Sequence, residues 1–221
     1  MRLILDVENN VTKRGDKLHL DPFEPDNCLV MVGMKTDNWE RVVTFEHSTE
    51  PPTPNGFNIV QEQLDKTTVL VCHNVAHDLI WLWESGFKYD GIVFDTMLGE
   101  YVLQRGQKQP LSLEQCAERY NLDTKKQDTL KEYFKSGTSV SDIPHDELKE
   151  YLLHDLRATF SLANKIHHRF MNGDSDLFDT VTHTNMVAVC LCKIYARGFK
   201  VDLDKLEDVR KEFEKEKQDI I

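Results

Sequence analysis

The chain has 221 residues, 40% of them hydrophobic and 29% charged, which suffices for one large domain with a sizeable core. Its net charge of −11 excludes a generally basic nucleic-acid-binding surface, because phosphate affinity rests on Lys and Arg; an acid-rich site that draws in divalent cations is the exception. Five cysteines (Cys28, Cys72, Cys116, Cys190 and Cys192), odd in number and without a CxxC pair, argue against disulfides and structural zinc and for a reducing, cytoplasmic setting.

In chain order, "MRLILDVENN" is too quickly acidic for a signal peptide, and no later run approaches the roughly 18 apolar residues of a membrane span. "LILDVE" is apolar on both faces, as a central strand is. "CLVMVGM" (28–34) and "ERVVTF" (40–45) follow as strands, with "KTDN" as the hairpin connection between them. "EPPTPNG" (50–56) is a loop, "FNIVQEQL" a helix and "TVLVCHN" (68–74) the next strand. "AHDLIWLWESG" reads as a helix stopped by Gly86, and "GIVFDT" as a fifth strand. From residue 96 onward the pattern is mainly helical. Ser112 and Gln115 form a capping signal, and residues 143–170 make a long helix with Pro144 near its first turn. "NGDSD" (172–176) breaks it, and two further helices are split at "RGFKVD" (197–202). The last is heavily charged and too poor in apolar residues to pack well alone. The expectation is an α/β protein: three antiparallel strands, two strand–helix units, then helices.

Four acids stand out. Asp6 and Glu8 alternate with apolar residues on one strand and so share a face, where they repel unless a cation lies between them; the bland alternative is a solvent-facing strand end. Asp155 falls inside the stripe Leu148, Leu152, Thr159, Leu162 and Ile166 of the long helix, on its core side. A charge there needs a partner, which could be a metal or simply Arg157 or His154. Tyr151 lies one turn before it on the same face. Asn74 and Asp78 are one turn apart where the fourth strand passes into its helix; a plain N-cap and a dipole partner are the alternative reading. Four carboxylates from three segments that converge in an α/β fold suit Mg²⁺ or Mn²⁺, and a pair of such ions about 4 Å apart activates water for phosphodiester cleavage.

At "LDVEN", "HNVAHD" and "YLLHD" the sequence resembles the three exonuclease motifs of the DEDD superfamily. It is similar to the proofreading 3′→5′ exonuclease domains of family A DNA polymerases, and Tyr151 four residues before Asp155 marks the tyrosine branch. "FDTMLGEYVL" and "LSLEQCAERYNL" resemble connecting segments of these domains. The resemblance covers about residues 1–170, and "ARGFKVDLDKLEDVRKEFEKE" is similar to the stretch leading to the polymerase thumb. The early first motif resembles podovirus-type phage polymerases. The implied fold is a ribonuclease H-like mixed five-stranded sheet flanked by helices, with an exonuclease domain at 1–172 and a helical connector at 173–221. The implied cofactors are two divalent ions, Mg²⁺ or Mn²⁺. The implied partners are the single-stranded 3′ end of DNA and a family A polymerase domain in the same or a partner chain, in the cytoplasm (of a host, if phage-encoded), with no membrane. The implied roles are metal ligation by Asp6, Glu8, Asp78 and Asp155, orientation of the attacking water by Tyr151, and contact with the terminal nucleotide by Asn74.

Other readings stay open on the residues alone. His73 and His77 could form a zinc-like pair at helical spacing. "HD" at 77–78 and at 154–155 fits an all-helical HD-type phosphohydrolase, but leaves Asp6 and Glu8 without a role. An RNA-trimming ribonuclease D-like exonuclease and a non-catalytic primer-strand binding module complete the alternatives. "QRGQK" (104–108) and "TKKQ" (124–127) are basic enough to line a strand path.

Overall fold

A computed structural model describes residues 1–14, 17–19, 21–122 and 128–220. Five strands form one sheet in the order β5-β4-β1-β6-β7. They are β1 (Arg2–Asn10), β4 (Cys28–Lys35), β5 (Glu40–Thr44), β6 (Val69–Cys72) and β7 (Ile92–Asp95). The first three run antiparallel, and β6 and β7 join parallel to β1. The expected mixed sheet is therefore present. A short separate ribbon, β2 (Thr12–Arg14) with β3 (Lys17–His19), lies in the connection that the sequence left unassigned.

The alternation of β1 sets the two layers of the molecule. Leu3, Leu5 and Val7 face a core shared with Val60 and Leu64 of α1 (Gly56–Asp65) and with Leu79 and Leu82 of α2 (Val75–Glu84). Ile4 faces the other way, onto Leu156 and Ala163 of α6 (His145–Asn172). Asp6 and Glu8 continue that second face. The register of the β1–β4 ladder shifts between Glu8 and Asn9, and Asn9, on the α2 side with Val7, meets His77.

α6 is 28 residues long and buries Leu148, Leu152, Asp155, Leu156, Thr159, Leu162 and Ile166, so the stripe read from sequence is its core face. Pro144 sits at the N-cap, next to the first turn as expected, and its carbonyl accepts from Glu147 and Leu148. Ser112 caps α4 (Leu113–Arg119), accepting from the Gln115 N–H and donating to the Gln115 side chain. Two helices escaped the reading by element: α3 (Thr96–Leu103) directly after β7, and α5 (Asp128–Ser136). After α6 come α7 (Phe178–Arg197) and α8 (Leu203–Ile220). α7 packs on α2, α3 and β7, whereas α8 lies exposed along its length. No described helix is long and apolar enough to cross a membrane.

Candidate active site

Asp6 pairs across the ladder with Gly33, and the glycine is what lets α6 come close. A Cβ on Gly33 would stand 2.8 Å from Leu152 Cγ and 2.8 Å from Leu156 Cδ1. Asp155 lies between those two leucines in sequence. Seating them on Gly33 brings its carboxyl to the level of Asp6, with only 7% of the residue exposed.

The electrostatics record the convergence. Asp6 is pushed up to about 7, first by burial and then by the charge of Asp155; the Val7 N–H, which donates to Asp6 Oδ1 at 3.1 Å, pulls the other way. Glu8 is pushed well above the carboxylate range by burial, then by Asp6, then by Asp155. Asp78, 2% exposed in the first turn of α2, is raised by burial and then by Asp6 and Asp95, against hydrogen bonds from the Cys72 thiol and the Val7 N–H. Tyr151 is held protonated by burial, by the charges of Asp155, Glu8 and Asp6, and by donating its phenol proton to Asp155. The four acids and the tyrosine thus share one electrostatic neighbourhood, built from β1, α2 and α6.

Asn74 sits at the head of α2 in the left-handed region, at φ 76°, with its side chain exposed and making no cap bond. The plain N-cap alternative therefore fails. The capping is done by Asp95, which sequence reasoning did not single out. Its Oδ1 accepts from Asn74 N at 3.0 Å and from Met97 N at 2.8 Å, and its Oδ2 accepts from Val75 N at 3.0 Å. One buried carboxylate thus caps α2 and α3 together, and offsets the cost of a left-handed non-glycine residue. An acid immediately before "TMLGEYVL" was the available signal.

Other expectations are corrected. Arg157 does not pair with Asp155: its guanidinium holds Glu40 on the neighbouring strand β5. His154, by contrast, does stand beside Asp155 as that reading had it: its Nδ1 is 3.6 Å from Asp155 Oδ1, within ion-pair reach though longer than a hydrogen bond. The zinc-like pair dissolves as well. His73 bridges Thr96 Oγ1 at 2.9 Å and the Leu111 carbonyl at 2.8 Å, while His77 Nε2 meets Asn9 Oδ1 at 2.8 Å. Burial holds both rings toward the neutral form. The sheet itself removes the all-helical phosphohydrolase. In the first basic cluster, Arg105 is paired with Asp174 and Asp176. The second cluster lies outside the described residues.

Among the described residues no three His, Cys, Asp or Glu side chains stand at ready-made metal spacing. The donor set nevertheless fits a hard divalent ion. All four candidates offer oxygen, Asp78 Oδ1 is buried without a hydrogen-bond partner, and mutual repulsion of the acids is what a cation relieves.

The family described as 3′-5′ exonuclease, that of the A-type DNA polymerases, matches residues 24–170, and the chain belongs to it. The match begins after the strand that carries Asp6 and Glu8. More particularly, the chain is 27% identical over 138 residues to DNA polymerase I of Synechocystis sp., covering 62% of this chain and 14% of that protein. It therefore spans only a small part of that relative's length. Among solved structures, the POL domain of Pol1 from M. smegmatis in complex with DNA primer-template and dNTP superposes with a TM-score of 0.67 at 17% identity, over 99% of this chain and 32% of that one. NrnC of Brucella melitensis with bound Mg²⁺ gives 0.62 at 17% identity, over 89% and 86%.

Proposed function

We propose that the chain is a divalent-metal-dependent 3′→5′ exonuclease of proofreading type. It hydrolyses the 3′-terminal phosphodiester of DNA and releases nucleoside 5′-monophosphates, as part of, or partner to, a family A polymerase in the cytoplasm. The observation that carries the reading is the set of acids on β1, α2 and α6, whose ionisation is suppressed by burial and by one another's charge.

Asp6, Glu8, Asp78 and Asp155 are the residues that would hold two ions, Mg²⁺ or Mn²⁺. Such ions supply an acidified water and positive charge for the leaving 3′-oxygen. The chain's own groups do the rest. Tyr151 stays a neutral phenol, so it orients the attacking water by hydrogen bonding and does not act as its base. Asn74, exposed and fixed by its backbone, contacts the terminal nucleotide.

Residues 1–172 are proposed as the exonuclease domain and 173–221 as a connector toward the polymerase part. Exposed apolar side chains on the connector, among them Met186, Leu191 and Ile194 of α7 and Leu203, Leu206 and Phe213 of α8, support a covering domain there.

The test is digestion of 5′-labelled single-stranded DNA with Mg²⁺ or Mn²⁺, beside RNA of the same sequence, with Asp6→Ala and Asp155→Ala as controls. The expected result is a ladder shortening from the 3′ end of DNA and lost in both variants. Digestion of RNA alone would replace the substrate, and no digestion under either metal would sink independent catalysis.

A further inference from the structure

We infer that Asn185, on the connector helix α7, is a positioning residue for the exonuclease site. It acts by clamping Asp95, whose carboxylate sets the backbone of Asn74 and the first turn that carries Asp78. The inference rests on the exonuclease reading for its consequence, but not for its geometry.

The chain of contacts is short. β7 is an edge strand, so a main-chain N–H pointing away from β6 has no strand to bond. The N–H of Asp95, the last residue of β7, is such a group, and it donates to Asn185 Oδ1 at 2.7 Å. Asn185 is only 4% exposed. Its Nδ2 donates to the Val181 carbonyl at 2.8 Å, which fixes which way the amide faces and aims Oδ1 at Asp95.

From Asp95 the link continues through its side chain to the amides of Asn74 and Val75 at the head of α2. Every step is a buried or half-buried polar contact, where removing one partner leaves the other unsatisfied.

The family match ends at residue 170, so the anchoring atom comes from outside the segment that the family defines. A left-handed asparagine has little of its own to hold it, since its side chain makes no cap bond. Its conformation depends on the Asp95 carboxylate staying in place. Asn185 is the group that keeps the end of β7, and with it that carboxylate, from swinging outward.

The test compares Asn185→Leu with Val181→Ala in the full chain. The first removes the acceptor at similar volume. The second loosens the packing of the same helix, through a buried residue one turn earlier that bonds neither Asp95 nor the site. Backbone amide exchange is read at Asn74 and Val75, and kcat and KM on single-stranded DNA are read well below both unfolding transitions.

Asn185→Leu is expected to speed exchange at those two amides about tenfold and to raise KM by a similar factor, the scale of one lost buried hydrogen bond. Val181→Ala is expected to lower thermal stability while leaving both readouts within about twofold of wild type. Unchanged exchange in Asn185→Leu, or equal acceleration in the two variants, overturns the clamp. A wild-type chain that digests nothing overturns the exonuclease reading instead, and the exchange measurement still decides the clamp.

Discussion

Replacing Asp6 with Asn should make the metal-free protein more stable at alkaline pH. Asn keeps an oxygen for the Val7 N–H and removes a charge that burial and Asp155 both penalise. A carboxyl whose folded pKa lies above its unfolded value keeps a proton in the fold that the unfolded chain releases. Its destabilising effect is therefore absent below pH 3.8, grows through the interval to about 7, and is complete above it. Raising the group from 3.8 to about 7 corresponds to at most about 4 kcal/mol. Asp6 is partly accessible and shares its repulsion with Glu8 and Asp155, so a gain of about 2 kcal/mol is expected. The assay is urea unfolding in EDTA, near pH 5 and near pH 8. Buried His73 and His77, held neutral, pull stability the opposite way with pH, so the readout is the difference between the two proteins. That difference should widen in favour of Asp6→Asn as pH rises. Saturating Mn²⁺ should then stabilise wild type and leave the variant nearly unmoved. A variant less stable than wild type near pH 8 in EDTA would refute the reasoning, because the acids would then be compensated by something other than a cation.

Tyr151→Phe should cut kcat about 100-fold or more with little change in folding, since the phenol works through its hydroxyl; single-turnover digestion measures this. Asn74→Ala should raise KM for the 3′ end several-fold and leave metal stabilisation intact, read by steady-state kinetics and by thermal shift with Mn²⁺. Gly33→Val should lower stability by about 2 kcal/mol and activity far more, because the new side chain lifts Leu152 and Leu156, and Asp155 with them, off β4; denaturation and digestion are compared on one preparation. Glu100→Ala should cost about 3 kcal/mol or more in thermal unfolding. Glu100 is 3% exposed and holds Arg119 and the Tyr120 hydroxyl, so its loss leaves the Arg119 charge facing neutral partners, the Pro110 carbonyl and the Cys116 sulfur.

The parts of the fold that were legible in sequence are those in which a period repeats. β1 alternates, α6 carries its stripe through many turns, and an acid inside that stripe is conspicuous because apolar neighbours flank it. Asp6, Glu8 and Asp155 were visible for that reason. Gly33 was not, since a glycine in a strand gives no hint of which helix rests on it. Asp95 was read as the end of a strand, although it is equally the start of a helix; a residue serving two elements has no single pattern. Asn185 was invisible because its partner is a main-chain N–H 90 positions away, and only the finished topology brings them together. Arg157 shows the converse, in that closeness in sequence suggested an ion pair with Asp155, whereas its guanidinium holds Glu40 of β5 instead.

The bare sides of α7 and α8 also govern how the protein behaves as a suspension of particles. Leu191, Ile194, Leu203 and Phe213, with Phe199 in the connection between the two helices, are each more than half exposed, a surface that attracts its like. Against it stands a net charge of −11, which keeps molecules apart over a range set by the ionic atmosphere. That range shrinks from about 10 Å in 0.1 M salt to about 3 Å in 1 M salt. Dispersal of this chain is thus a balance of range, with long-reaching repulsion masking short-reaching adhesion. Salt shifts that balance without touching a single contact inside the fold.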